Sequence, residues 1–332
     1  MKEQQFYDSL SQHTINRSIS LIGVGLHSGA KASIVIKPAD ENVGIYFIRK
    51  DVAAGTGLIP ARWYNVSQTD YCTTLSNEHG VSVSTIEHLM AALRACGVDN
   101  AIIEVEGPEV PIMDGSAAPF FDLIKNTGIR KQAAPRNVIW IHRPIEYREG
   151  DNYVIVMPES RSRITAQIEF ENTLIETQAV TFDLLNDDFS TIADCRTFGF
   201  AKDIPMLKSL GLIKGATLSN SVLVDGQQIV NEEGLRHKDE FVKHKVLDCV
   251  GDLALVGYPI LGHYYAKRPG HRVNHQFLKK LFNHRDAWSY ITLEEYYRLF
   301  GIYPDMGEAR AKQSMRNNKN IDQGGDLNQE IH

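Results

Sequence analysis

EHLMAALRACGVDNAIIEV, residues 87–105, and HKVLDCVGDLALVGYPILG, residues 244–262, share one order of parts. Each opens on a histidine-bearing amphipathic stretch, passes a glycine turn and ends in an apolar run of strand character. In the first, Ile86, Leu89, Met90 and Leu93 recur at helical spacing, Ser84 and Glu87 match a capping box, and Gly97 supplies a stop. These signals predict a helix from about 85 to 96 and a buried strand over Ala101–Val105. Residue identity between the two stretches is poor, so it is the order of elements that points to an internal duplication.

Strands precede both helices. From Ser18 to Val83 the chain alternates apolar and polar residues in KASIVIKP and GIYFIRK, with turns at Ser28-Gly29 and Ala39–Asn42. APFFDLIKNTG reads as a further helix ending at Gly128. NTGIRKQAAPRN, residues 126–137, lacks apolar periodicity and marks a domain boundary. Strands resume in NVIWIHRPIEY, YVIVMP and RITAQIEF, and helices in FVKHKVLDCVGDLALVGY and HQFLKKLFNH. The expected architecture is α+β in two domains, 1–130 and 131–304. Beyond Asp305 large apolar residues nearly vanish, so 305–332 is expected to be a tail without fixed structure.

At 332 residues, 43% hydrophobic and 23% charged, the chain has the composition of a globular protein. Its net charge of −6 argues against broad nucleic-acid contact, which needs a basic face. Cys72, Cys96, Cys195 and Cys249 form no CxxC pair, which fits a reducing compartment. MKEQQFYDSL is too polar for a secretory leader, and no run of about eighteen apolar residues spans a bilayer. A cytoplasmic protein is expected.

His244 and Asp248 lie four apart, so on a helix both project from one face and can grip one metal ion. An ordinary solvated contact has the same spacing. Catalytic zinc takes three protein ligands and keeps one open position, and His88 on the matching helix is the natural third. Glu87, turned about 100° from His88, would flank the ion where a general base belongs, although capping alone would also account for it. His271, after Gly270, is read as a loop imidazole able to serve as general acid. Asp252, one turn beyond Asp248, could keep it protonated.

STIEHLMAAL, PIMDGSAAPF, CRTFGF, NEEGLRHKDEFVKHKVLDCVGDL and PGHRVN occur in the order found in the UDP-3-O-acyl-N-acetylglucosamine deacetylases, and over residues 16–300 the chain resembles that family. The resemblance implies Zn2+, or Fe2+ in its place, on His88, His244 and Asp248, with Glu87 as base and His271 as acid. Thr197 resembles the hydroxyl that helps stabilise the oxyanion, and Lys245 and Asp252 match further active-site positions. It also implies two similar domains packed helix layer to helix layer. A β-α-β insert at about 192–225 would form an acyl passage with Ile204, Leu207 and Ile213. Glu169 and Phe170 resemble a uridine contact, and Phe198 is a further substrate contact. GVGLHSG, with His27, has no role beyond a turn. The implied partner is a small amphipathic sugar nucleotide, met by a monomer.

Two rivals remain at this point. A non-haem Fe(II) oxygenase uses the same ligand set, but has no need of a carboxylate beside a ligating histidine and a separate acidic imidazole. A non-catalytic module binding sugar nucleotides or acyl chains would have no use for Glu87 and His271.

Overall fold

The protein's structure, a computed structural model, describes residues 7–302. It is α+β, and its two main sheets repeat one topology. Strands β1 (Ile19–Val24), β2 (Lys31–Pro38), β3 (Ile45–Arg49), β4 (Leu58–Pro60) and β5 (Ala101–Glu106) form a sheet in the order β1-β2-β5-β3-β4. Strands β6 (Ile145–Glu149), β7 (Asn152–Met157), β8 (Ser162–Phe170), β9 (Glu176–Asp183) and β10 (Ile260–Lys267) pair in the order β6-β7-β10-β8-β9. In each, the last strand enters the centre, antiparallel to the second and parallel to the third.

The registers match too. Ile103 lies between Ile36 and Phe47 in the first sheet, and Tyr264 between Val156 and Ile164 in the second. All six side chains are buried. Period-two alternation gives each sheet one apolar face, and a one-residue slip would turn that face to water, so the pattern itself fixes the pairing. The expected duplication is therefore present as topology. Strands Asn137–Ile141 and Trp288–Thr292 extend the second sheet alone.

The longest helices among the described residues are α1 (Glu87–Ala95), α2 (Ala118–Thr127), α3 (Glu240–Leu253) and α4 (His271–Asn283). α1 begins later than expected, and the capping box does not form. Thr85 stands in the left-handed region at φ 56°, where its hydroxyl donates to Glu109 at 2.7 Å. Ser84 accepts from Thr74 instead. Freed from capping, Glu87 accepts the Thr73 N–H at 3.1 Å. His271 is likewise the first residue of α4 and not a loop residue.

The stretch 126–137 is not irregular. Ile129–Pro135 pairs with Ser11–Ile15, a partner more than a hundred residues away that local periodicity could not reveal. The β-α-β unit is present as Phe198–Phe200, helix Ile204–Ser209 and Val222–Asp225, the two strands being parallel, and Gln228–Ile229 adds a third strand just past the expected end. The expected tail at 305–332 lies outside the described residues. All four cysteines are free. Among the described residues, no helix is long and apolar enough to cross a membrane.

α3 is buried on nearly every side, packed against β8, β9, α4 and α1. Its contact with α1 runs through Gly251, where an added Cβ would stand 2.0 Å from the Glu87 carbonyl oxygen. Two backbones can approach this closely only without a side chain between them. Gly251→Ala should cost about 1–3 kcal/mol in a urea unfolding titration. Gly199→Ala, where a Cβ meets nothing within 4 Å, should shift the midpoint little.

Candidate active site

The α1–α3 contact brings together charges and imidazoles that the sequence separates by more than 150 positions. His88 and His244 both turn Nε2 toward Asp248 Oδ1, at 3.6 and 3.4 Å. Their rings meet edge to face with centroids 5.0 Å apart. One ligand atom from each of the three residues lies within 4.8 Å of the others, and all three residues are buried. Corners about 2.0–2.1 Å from a common centre, the distances zinc takes to N and O, are separated in a tetrahedron by roughly 3.3–3.4 Å. The observed spacings are close to that edge.

Electrostatics agree with the geometry. Burial is the largest influence on His244 and lowers its pKa to about 4, so the ring is neutral near pH 7. Its Nδ1 lies 3.0 Å from the Cys195 carbonyl. Donating the proton there leaves the Nε2 lone pair facing Asp248, as ligating histidines are commonly held. For Asp248, burial opposes ionisation, but His244 and the Lys245 ammonium, 2.9 Å from Oδ2, hold its pKa well below the ordinary value. The other oxygen, Oδ1, is buried and has no hydrogen-bond partner. A buried anionic oxygen facing two imidazole nitrogens costs several kcal/mol unless something positive meets it. The three residues fit a divalent cation.

Beside this set stands a second one. His271 lies between two carboxylates, with Nδ1 2.9 Å from Asp252 and Nε2 3.6 Å from Glu87. Burial, its largest single influence, lowers the pKa of His271, yet Asp252 and Glu87 together push it up to about 10. Burial raises that of Glu87, with His271 and His88 pulling the other way. Asp252 is fixed by three donors: Thr73 Oγ1 at 2.6 Å, Asn274 Nδ2 at 2.8 Å and the His271 ring. Tyr264 donates to the Asn274 carbonyl at 2.8 Å and so orients that amide.

Thr73, Asn274 and Tyr264 were not singled out in the sequence. Thr73 comes from just before a short strand, Thr74–Ser76, that passes beside α1. Only the PGHRVN motif, which contains Asn274, could have signalled any of the three. Also unforeseen is Arg196, buried and clamped by Glu240 at 2.9 Å, Glu233 at 2.8 Å and the Gly234 carbonyl at 2.7 Å. This pairing ties CRTFGF to the start of α3 and thereby sets the Cys195 carbonyl that His244 meets.

Thr197 is held by the Gly115 carbonyl at 2.8 Å and lines an apolar passage of about 330 Å3. Gly115, at φ 85°, lies so close to Asn220 that a Cβ would meet its carbonyl oxygen at 1.9 Å. Phe198, Ile204, Leu207 and Ile213 line the passage as well, and so does His27. The His27 ring is buried with both nitrogens unpartnered. On the other side of Phe200 opens a polar cavity of about 700 Å3 lined by Glu169, Phe170, Lys202, Lys245 and Arg268. Phe170 packs on Phe198 and Phe200 at 5.7 and 5.2 Å, while Glu169 is paired with Lys267 at 3.1 Å and Arg268 at 3.0 Å. Every residue expected at the site therefore lies at the three-residue set, at the Glu87–His271–Asp252 set beside it, or along one of the two cavities.

A family model described as LpxC: UDP-3-O-acyl N-acetylglycosamine deacetylase matches residues 12–283. A Shewanella sp. (strain W3-18-1) protein named UDP-3-O-acyl-N-acetylglucosamine deacetylase is 42% identical over 287 residues, covering 86% of this chain and 94% of that protein. A Myxococcus xanthus (strain DK1622) protein of the same name is 44% identical over 276 residues, covering 83% and 87%. With a family model matching residues 12–283 and relatives 42–44% identical over more than four fifths of the chain, the chain belongs to the UDP-3-O-acyl-N-acetylglucosamine deacetylase family.

Proposed function

We propose that this chain hydrolyses the acetamide of UDP-3-O-acyl-N-acetylglucosamine, releasing acetate and leaving UDP-3-O-acyl-glucosamine, a step of lipid A biosynthesis. The observation that carries this reading is the unpartnered Asp248 oxygen facing two imidazoles, with the Glu87–His271 pair alongside. His88, His244 and Asp248 would hold Zn2+, with Fe2+ as the other ion such a set accepts. A divalent ion there supplies Lewis-acid polarisation of the acetamide carbonyl and lowers the pKa of water.

The remaining chemistry belongs to the side chains. Glu87, ionised, takes a proton from the attacking water. His271, kept protonated by Asp252, donates to the nitrogen that leaves as an amine, and its charge favours the tetrahedral oxyanion, as does the Thr197 hydroxyl. Lys245 holds Asp248 ionised and presents its ammonium to the polar cavity. That cavity, with Glu169 and Phe170, suits the uridine diphosphate, and the passage with Phe198, Ile204, Leu207 and Ile213 suits the acyl chain. The oxygenase reading accounts for the three ligands alone, whereas hydrolysis also uses Glu87 and His271. On this reading residues 1–130 and 131–304 are two domains, the latter carrying the insert, and the enzyme works in the cytoplasm as a monomer.

Stripping metal with a chelator should abolish acetate release from the acylated sugar nucleotide, and adding back Zn2+ should restore it. His244→Ala and Asp248→Ala should each bind less than one equivalent of metal by elemental analysis. Full metal content in both would overturn the ligand assignment.

Glu87→Gln and His271→Ala should keep the metal and lose about 10²–10⁴ in kcat. Turnover needs Glu87 deprotonated and His271 protonated. The rate should therefore rise with pH through a Glu87 pKa above the ordinary carboxylate range, and fall as His271 loses its proton toward about 10. A bound cation shifts both limbs downward. His271→Ala should erase the alkaline limb, and an unchanged profile in that variant would remove His271 from the reaction.

A further inference from the structure

KDIPMLKSLGLIKGATL, residues 202–218, carries three lysines and one aspartate in a chain whose net charge is −6. Lys202, Lys208 and Lys214 are exposed, while Asp203 is half-buried. Among the lysines stand apolar side chains that water would ordinarily exclude: Met206 is 44% exposed, Leu210 60% and Leu218 43%. Met206 and Leu210 are four apart and share one face of the short helix and its last turn, while Leu207 turns inward to the passage. Tyr71 joins them from the other half of the chain, 49% exposed, its hydroxyl 3.7 Å from the Met206 sulfur.

This surface is continuous with the apolar passage. Tyr71, Lys208 and Leu218 are at once part of the rim and part of the passage wall. The rim is therefore the mouth of an apolar channel, ringed by outward-facing apolar groups and by cations. Outward apolar side chains interleaved with lysines are the composition of segments that lie in a membrane interface, where the apolar groups enter the acyl boundary and the cations meet anionic headgroups.

We propose that this rim docks on the surface of an anionic lipid bilayer, with the passage opening toward the acyl layer. An acyl chain could then move between bilayer and passage without crossing water. The inference rests on the acylated substrate of the proposed function, since an apolar channel opening on a membrane serves a ligand with a tail.

Each lysine near an anionic surface adds about fivefold to partitioning at moderate ionic strength, so three add about a hundredfold. The full chain, without substrate, is sedimented with vesicles of phosphatidylcholine alone or with about 30 mole per cent phosphatidylglycerol, a composition that sets a negative surface potential. Binding should be stronger to the anionic vesicles by about that factor and should fall with added salt. Lys208→Gln with Lys214→Gln should remove roughly twenty-fivefold of it. Met206→Ser with Leu210→Ser should weaken binding to both vesicle types, circular dichroism reporting an intact fold in each variant.

Failure of the unaltered chain to bind anionic vesicles overturns the proposal, as does equal binding to both vesicle types. Concentration-dependent self-association lost in Met206→Ser/Leu210→Ser, with no vesicle binding, would give the rim to a second copy of the chain and also overturn it. Acetate release from substrate dispersed in detergent is measured in parallel on the unaltered chain. Failed vesicle binding with intact turnover would thus refute the docking alone, whereas absent turnover would refute the function.

Discussion

Everything at the site depends on two helices touching at a glycine. α1 carries Glu87 and His88, α3 carries His244, Lys245, Asp248 and Asp252, and neither helix holds a complete metal or proton-transfer set. Gly251 lets the backbones close until its own α-carbon faces the Glu87 carbonyl. At that separation the His88 imidazole can reach an aspartate one turn before the contact, and Glu87 can reach the imidazole that Asp252, one turn after Asp248, holds on α4. A helix pair at the usual spacing of about 8–10 Å, kept apart by side chains at the crossing, would separate these groups.

The same closeness creates an electrostatic problem and then constrains its answer. Three carboxylates, Glu87, Asp248 and Asp252, are buried within one region. Ionised side by side they would repel and lack water, so each must be met by a positive or donating group. Lys245 meets Asp248 from the cavity side, and Thr73, Asn274 and His271 meet Asp252. Asp248 is left with one unmet oxygen and Glu87 with a pKa raised by burial. Those two incomplete places are where the proposed hydrolysis would need a cation and a transferable proton, so the unsatisfied part of the network coincides with the proposed chemistry.

Much of this was legible in the amino-acid sequence because the relevant signals are local. KASIVIKP alternates and forms a strand over the same residues, Lys31–Pro38. His244 and Asp248 are one turn apart on any helix, and the order helix, glycine, strand recurs in both halves. What escaped reading depends on distant partners. The pairing of Ile129–Pro135 with Ser11–Ile15 has no local periodicity to reveal it, since the strand is mostly exposed. The capping box failed because Glu87 had a stronger claim on it from Thr73, a contact invisible in spacing. His271 read as a loop residue because its helix begins at that residue without a capping side chain, Gly270 having none to offer.

The duplicated topology explains why the site lies where it does. In each half the histidine-bearing helix immediately precedes the strand that enters the centre of its sheet, so that strand anchors the helix in the middle of the layer rather than at an edge. Two such units that meet through these helices bring their best-anchored segments together, and rigid elements hold catalytic groups more closely than loops do. The halves then differ in what they add around that contact. The first contributes Thr73 beside Glu87. The second adds the Phe198–Ile229 unit and the Glu169–Arg268 wall, so one side of the aromatic group Phe170, Phe198 and Phe200 is polar and the other apolar. A ligand with a charged end and a greasy end has only one orientation across that partition, with Lys245 on its polar side and Thr197 on its apolar side.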